Sequence, residues 1–202
     1  MSPKIDGSTK PDLAGYEIVL GVTGGIAAYK VCEVVSRLVQ RGAGITVAMT
    51  KSARKFVAPM TFQALSGRRV LTGLWHDEQP SDVQHIGLTG AADLLVIAPA
   101  TANAIGKIAA GIADDLLTTL VISAASPILL APAMNDRMWS NPLVQRNVKL
   151  LTDLGYGFVG PSSGWLACRS VGPGRMAEPA EILETMVTML KRHPPKAQSG
   201  DH

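Results

Sequence analysis

The sequence predicts an α/β fold: a single domain with a doubly wound, mostly parallel sheet and helices on both faces. Three observations carry that expectation. Short apolar runs of strand length (EIVLGV, LLVIAP, PILLA) alternate with longer segments whose apolar residues recur at helical spacing. The chain has 202 residues, enough for one sizeable core. Four stretches of glycine and short polar residues fall at the carboxyl ends of the expected strands: Thr23 to Ala27, Thr50 to Ser52, Ala100 to Asn103 and Ala133 to Asn135. Open α/β sheets bind their ligands at those ends, so the convergence points to a small-molecule site.

Glu17 to Val22 is the first strand, and it runs straight into Thr23-Gly24-Gly25-Ile26-Ala27-Ala28. A helix follows, with Val31, Val34, Val35, Leu38 and Val39 on one face, and Gly42 stops it. Strand, glycine turn and helix together make a place where backbone N–H groups and a helix N-terminus hold a phosphate. A tight turn needing glycine for sterics alone would look the same. The turn matches neither GxGxxG nor GxxxxGK[ST], so it is not the dinucleotide fingerprint and not a P-loop. Ile45 to Met49 is the second strand. Thr50, Lys51 and Ser52 follow it, with hydroxyls suited either to a phosphate or to a helix cap. Phe56 to Leu65 reads as a helix interrupted at Pro59, Arg69 to Thr72 as a short strand, and Trp75 to Asp82 as a loop.

Leu94 to Ala98 is a buried strand. Pro99 to Asn103 leads from it into a helical segment rich in Gly, Ala and Ile. Thr101 and Asn103 present donors and acceptors there, or only cap the helix. His85, in QHIGLTGAAD, is the one histidine expected inside the fold, since His76 falls in a loop and His193 and His202 near the C-terminal tail. A lone histidine is more often structural than catalytic. Asp114 and Asp115 put charge at the N-terminus of a helix over Leu116 to Ala124. Pro127 to Ala131 is another buried strand, ending in Pro132-Ala133-Met134-Asn135. A helix from about Pro142 to Leu154 and a short strand, Gly157 to Gly160, come next. Pro161 to Pro179 reads as a long glycine-rich loop with Cys168 in its middle, beside Arg169, where a thiol exchanges protons. Glu181 to Arg192 is an amphipathic closing helix.

Composition bounds the function. Hydrophobic residues make up 47% and charged residues only 17%, against about 25% charged in a typical soluble domain. So little charge implies surface buried in an oligomer or lining a large apolar site. The net charge is only +3, with no basic run and no aromatic interleaving, which argues against nucleic acid. No uninterrupted apolar stretch of about 18 residues is present, so no membrane span is expected. Residues 1–15 lack an apolar signal core and read as a disordered tail, as do residues 194–202, leaving a domain over 16–193. Two cysteines without a pairing pattern imply a reducing compartment, hence a cytoplasmic protein. Without CxxC or HxxxH spacing, no metal site is expected.

Four segments, GVTGGIAAYK, APATANAIGKIAAGIADDLL, PAMNDRMW and ACRSVGPGRMAEP, in that order, resemble the flavin-containing cysteine decarboxylases. The resemblance covers about Glu17 to Lys191 and is nearest to the branch acting on 4′-phosphopantothenoylcysteine in coenzyme A biosynthesis. It implies a Rossmann-like flavoprotein, an FMN cofactor, and a homo-oligomer that is a trimer or a multiple of trimers with FMN near the subunit contacts. It assigns FMN contacts to Gly24, Gly25, Ile26, Thr50, Ser52, Thr101, Ala102, Asn103 and Ala133. The family's serine in the SAN triplet is Thr101 here, which keeps the hydroxyl. The family's histidine falls on His85, its substrate asparagine on Asn135 and its reductive-step cysteine on Cys168, with Met138 and Ala167 beside the substrate. Many bacterial members are fused to the ligase that makes the substrate. This sequence stops before such a domain, so decarboxylation alone is expected.

The implied chemistry explains the residue types. Direct loss of CO2 from a cysteine carboxylate leaves an unstabilised carbanion. The family has FMN take a hydride from the cysteine Cβ, giving a thioaldehyde whose carboxylate is β to an electron-accepting C=S. CO2 then leaves to form an enethiolate, which is reduced again. The flavin is the electron sink and the protein supplies orientation and proton traffic. By resemblance, His85 is a base or charge stabiliser, Asn135 holds the carboxylate and Cys168 protonates the enethiolate carbon. Three alternatives share parts of the pattern. An oxidative peptidyl-cysteine decarboxylase would not need Cys168. A flavin prenyltransferase would need neither PAMN nor the cysteine loop. A non-catalytic regulatory subunit could lose His85, Asn135 or Cys168, and all three are present.

Overall fold

Strand β1 (Glu17–Val22) lies between β2 (Gly44–Met49) and β3 (Leu94–Ala100) in a five-stranded sheet of order β2-β1-β3-β4-β5. Strand β4 (Ile128–Pro132) pairs with β3, the short β5 (Gly157–Phe158) forms the far edge, and every pairing is parallel. This computed structural model describes residues 11–73 and 87–196. The chain leaves β1 toward one edge of the sheet and leaves β3 toward the other. That reversal opens a crevice at the strands' carboxyl ends.

Alternate strand residues feed two cores. Ile18, Leu20 and Val22 of β1, with Leu94, Val96 and Ala98 of β3, join the core beneath α1 (Ala28–Gln40), α2 (Pro59–Ser66) and the last helix of the chain. Val19, Leu95, Ile97 and Leu130 point the other way, into the core beneath α3 (Ala102–Ala109) and α4 (Leu116–Ile122). Burial on both faces is why these strands read as unbroken apolar runs. The short α5 (Asp136–Trp139) follows β4, and α6 (Pro142–Asp153) adds Leu151 to the second core. Helix α7 (Pro179–Leu190) closes the first core with Ile182, Leu183, Met186 and Leu190.

Several boundaries differ from the sequence reading for physical reasons. Pro59 starts α2 instead of interrupting it, because the first helical position needs no N–H donor. Residues 53–55 before it form a separate 3₁₀ turn. The strand expected over residues 69–72 is a single parallel bridge between Leu71 and Ala48. Strand β3 runs on through Pro99 to Ala100.

Residues 11–15, expected to lie in a tail, are packed against the domain: Leu13 is fully buried, its N–H bonds Arg41 O at 3.0 Å, and Asp12 pairs with Arg41. At the other end, the N–H of Lys196 bonds Asp93 Oδ1 at 2.8 Å, so residues 194–196 are part of the packed body. Residues 161–179 are not a loop throughout. They contain an antiparallel hairpin, β6 (Ser162–Trp165) with β7 (Val171–Arg175). Its sequence, SSGW and VGPGR, has no alternating apolar pattern, so propensity gives no strand signal.

Candidate functional site

The switch-point crevice opens into a cavity of about 1030 Å3. Thr23 stitches its two central strand ends together. The Thr23 side chain is buried, and its hydroxyl donates to Pro99 O at 2.5 Å and accepts from Thr101 N at 3.2 Å. Thr101 in turn caps α3, its hydroxyl accepting from Ala104 N at 3.3 Å. Both roles left open for Thr101 in the sequence therefore coexist: it caps the helix and lines the cavity with Ala102 and Asn103.

Gly24, Gly25 and Ile26 form the wall beneath the start of α1, and Thr50 and Ser52 form the adjoining wall after β2. A Cβ on Gly24 would collide with Ser52 Cβ, so only glycine lets these two turns meet. The N-terminus of α1 has no side-chain cap and no acidic residue in its first turn. Its positive end is thus uncontested inside the cavity.

The opposite wall comes from β4 and the hairpin. Ala133 N bonds Ala100 O at 3.0 Å, which holds the end of β4 beside the end of β3. Asn135 caps α5, its Oδ1 accepting from Met138 N at 2.7 Å. With the oxygen so used, the amide N–H groups are what Asn135 has left to offer the cavity it lines. The hairpin docks here through Met134 N to Gly174 O at 2.9 Å. Gly174 has φ of +126°, and a Cβ there would strike Met134 O. At the hairpin tip Leu166 is buried, Arg169 takes a left-handed conformation (φ 66°), and Cys168 is exposed and faces the cavity with Ala167.

The structure thus brings together every site residue read from the sequence within its described range: Gly24, Gly25, Ile26, Thr50, Ser52, Thr101, Ala102, Asn103, Ala133, Asn135, Met138, Ala167 and Cys168 all line one cavity. His85 lies outside the described residues. Three cationic lining residues carried no signal of their own: Lys30, Lys107 and Arg175. Lys30 Nζ lies 3.0 Å from Glu178, which also pairs with Arg175. The Lys30 ammonium holds the Glu178 carboxyl below its usual range. Lys107 bonds Asp114 at 2.7 Å, and this pairing raises the lysine and lowers the aspartate. Among the described residues no group of three or more His, Cys, Asp or Glu side chains is placed to hold a metal ion. No described helix is long and apolar enough to cross a membrane.

The family model described as Flavoprotein matches residues 6–191. The chain belongs to the flavoprotein family. Among curated relatives of this flavoprotein, the Bacillus subtilis coenzyme A biosynthesis bifunctional protein CoaBC is 49% identical over 181 residues, 90% of this chain and 44% of its own length. The Escherichia coli K12 protein of the same name is 45% identical over 175 residues, 87% of this chain and 43% of its own. The chain therefore spans less than half the length of these relatives. Two solved structures match nearly end to end. The FMN-dependent cysteine decarboxylase SpaF gives a TM-score of 0.76 at 35% identity, covering 89% of this chain and 98% of SpaF. A cysteine-to-serine mutant of PPC decarboxylase complexed with pantothenoylaminoethenethiol gives 0.77 at 32% identity, covering 87% and 98%. The doubly wound flavoprotein fold expected from the sequence is the one these neighbours share.

Proposed function

We propose that this flavoprotein catalyses FMN-dependent decarboxylation of 4′-phosphopantothenoylcysteine to 4′-phosphopantetheine, a step of coenzyme A biosynthesis. The observation that carries the reading is the meeting of Asn135 and Cys168, from two different elements, on one cavity with the glycine turn and the Thr101–Asn103 helix start. The names of the CoaBC relatives and of the PPC decarboxylase neighbour support the same substrate class.

The residues present fit FMN. Ligand pockets commonly span about 300–1,000 Å3, and this cavity of about 1030 Å3 has room for a flavin beside a substrate. The uncapped, acid-free start of α1, flanked by Gly24, Gly25 and Ser52, suits a phosphate. Ile26, Thr50, Thr101, Ala102, Asn103 and Ala133 would complete the cofactor bed. Bound FMN would supply a reversible hydride acceptor next to the substrate's cysteine carbon.

The chain's own groups then divide the work. Asn135 orients the substrate carboxylate through amide N–H donors and adds no cation that would overstabilise the ground state. Met138 and Ala167 line the substrate's side of the cavity. Cys168 gives a proton to the carbon left after CO2 departs. His85 serves the oxidative half as base or charge stabiliser. A peptidyl-cysteine decarboxylase that releases an enethiol has no use for such a proton donor, which favours the complete, redox-neutral reaction.

The assembly is read as a homotrimer or a multiple of trimers, and the compartment as the cytoplasm, where both cysteines stay reduced. Ile112, Ile122, Leu143, Leu150 and Leu154 are exposed apolar side chains consistent with burial against copies of the chain. Sedimentation tests the assembly. The function is tested by the visible spectrum of the purified protein, then by mass analysis after adding the substrate. A flavin spectrum and a product lighter by CO2 alone are expected. Loss of two further hydrogens would point to the oxidative peptide-type reaction, and folded protein that binds no flavin would bring the regulatory reading forward.

A further inference from the structure

Cys168 does not stand alone at the hairpin tip. Its Sγ lies 3.1 Å from Ser170 Oγ, and Ser170 Oγ donates to Asp136 Oδ1 at 3.4 Å. Asp136 belongs to α5, the element that Asn135 caps, so the chain of contacts crosses from the hairpin to α5. Close packing fixes the crossing. A Cβ on Gly172 would lie 2.8 Å from Asp136 Cβ, so glycine there lets the hairpin seat directly on the aspartate. Met134 N to Gly174 O at 2.9 Å pins the same two elements together.

The proton count gives the contacts a direction. A serine hydroxyl has one proton and a carboxylate only accepts. With that proton on Asp136, the remaining bond must run from the Cys168 S–H to Ser170 Oγ. This arrangement makes the Cys168 S–H the donor at the start of the chain of contacts. We infer that Ser170 and Asp136 form a two-residue hydrogen-bond relay that orients the Cys168 S–H as the proton donor of the reaction. The inference rests on the reading of Cys168 as the proton donor in the proposed reaction.

The balance closes. Decarboxylation converts RCOO⁻ and one H⁺ into RH and CO2, so each turnover must draw one proton from solvent. Cys168 gives its proton to the product carbon and becomes a thiolate. A solvent proton then returns to the exposed Cys168 Sγ. The S–H to Oγ–H to carboxylate order is then restored with no other group changed. Ser170 and Asp136 touch no reacting atom, so both are positioning residues.

The test uses the flavin-loaded protein with Ser170→Ala, Ser170→Thr and Asp136→Ala. First, alkylation of Cys168 by iodoacetamide is followed at one fixed pH near neutrality, with the Cys168 peptide read by mass spectrometry so that Cys32 does not contribute. Ser170→Ala removes the acceptor of the S–H, and Asp136→Ala removes the acceptor of the serine proton and frees it for a thiolate. Both should speed alkylation by roughly 2- to 10-fold, the range of one hydrogen bond, while Ser170→Thr stays near wild type. Second, the products from 4′-phosphopantothenoylcysteine are resolved by mass. The two relay-breaking variants should release an increased share of oxidised enethiol, and Ser170→Thr should restore the redox-neutral product. Unchanged alkylation and unchanged product partition in both variants would overturn the relay, as would Ser170→Thr behaving like Ser170→Ala. A wild-type protein inactive on this substrate would overturn the proposed function, and the alkylation rates would then decide the relay.

Discussion

Asn135 does two jobs with one amide. Its oxygen is committed to Met138 N as the cap of α5, and its nitrogen is left for a ligand. Replacement by aspartate separates the two jobs, because aspartate caps a helix as well as asparagine does. Asn135→Asp should therefore fold and keep its yellow colour. It should lose roughly 10²-fold in kcat/KM, the cost of one well-placed donor, because a carboxylate now faces the substrate carboxylate. Flavin absorbance and steady-state kinetics on the same preparation check both halves, and full activity would remove Asn135 from substrate binding. Asn135 was legible in the sequence because strand ends mark sites in this kind of sheet. Lys30 and Arg175 were not. Lys30 pairs with Glu178, 148 residues away in sequence, and no local pattern encodes such a pairing; Arg175 pairs with the same Glu178 only three residues on, but its place on the cavity depends on the hairpin whose docking the sequence does not show.

At the scale of elements, the legibility of each piece follows from what holds it in place. The parallel strands are buried on both sides, so their residues announce themselves as apolar runs, and the glycine turn and Thr101 sit where those runs stop. The hairpin is held differently. It contributes one buried side chain at its tip, Leu166, and otherwise seats its backbone on the turn between β4 and α5. Backbone seating leaves no hydrophobic periodicity, only glycines whose purpose is invisible until the partner is known. Gly174 is the clearest case, with its positive φ and with Met134 O occupying the place of a Cβ. Gly174→Ala should lift the hairpin from α5 and misplace Cys168 while the sheet survives. The expected outcome is a circular dichroism spectrum and Tm close to wild type, proteolytic cleavage within residues 162–175, and a product shifted toward the oxidised enethiol. Wild-type product partition in a cleavage-resistant variant would show that the seating does not position Cys168.

At the scale of the whole molecule, the packed body is larger than composition alone marks out, because the N-terminal residues 11–15 close the core beneath α1. Leu13 is fully buried within it, an isolated apolar side chain in a polar stretch and so too little signal to read as structure. Leu13→Ala should cost about 2–5 kcal/mol, the usual range for emptying a buried leucine site, measured by urea unfolding. A loss below about 0.5 kcal/mol, the scale of an ordinary surface change, would mean that these residues are not docked in solution. The same segment carries an acid-sensitive clasp. Asp12 bonds Arg41 first and Lys191 second, and these cations hold its carboxyl well below the ordinary value of 3.8 against a smaller opposing effect of burial. A carboxyl lowered on folding stabilises the protein above its unfolded pKa, and that contribution is lost as pH falls through the lower folded value. The clasp should therefore be at full strength at neutral pH and fade below about pH 4. Its side chain is 42% exposed, so solvent screening limits it to about 1 kcal/mol or less. Asp12→Asn should lower stability by that amount at pH 7 and approach wild type as the medium is acidified toward pH 2. A stability gap that widens on acidification would reverse the sign and show that Asp12 is not held by Arg41 and Lys191 in the native state.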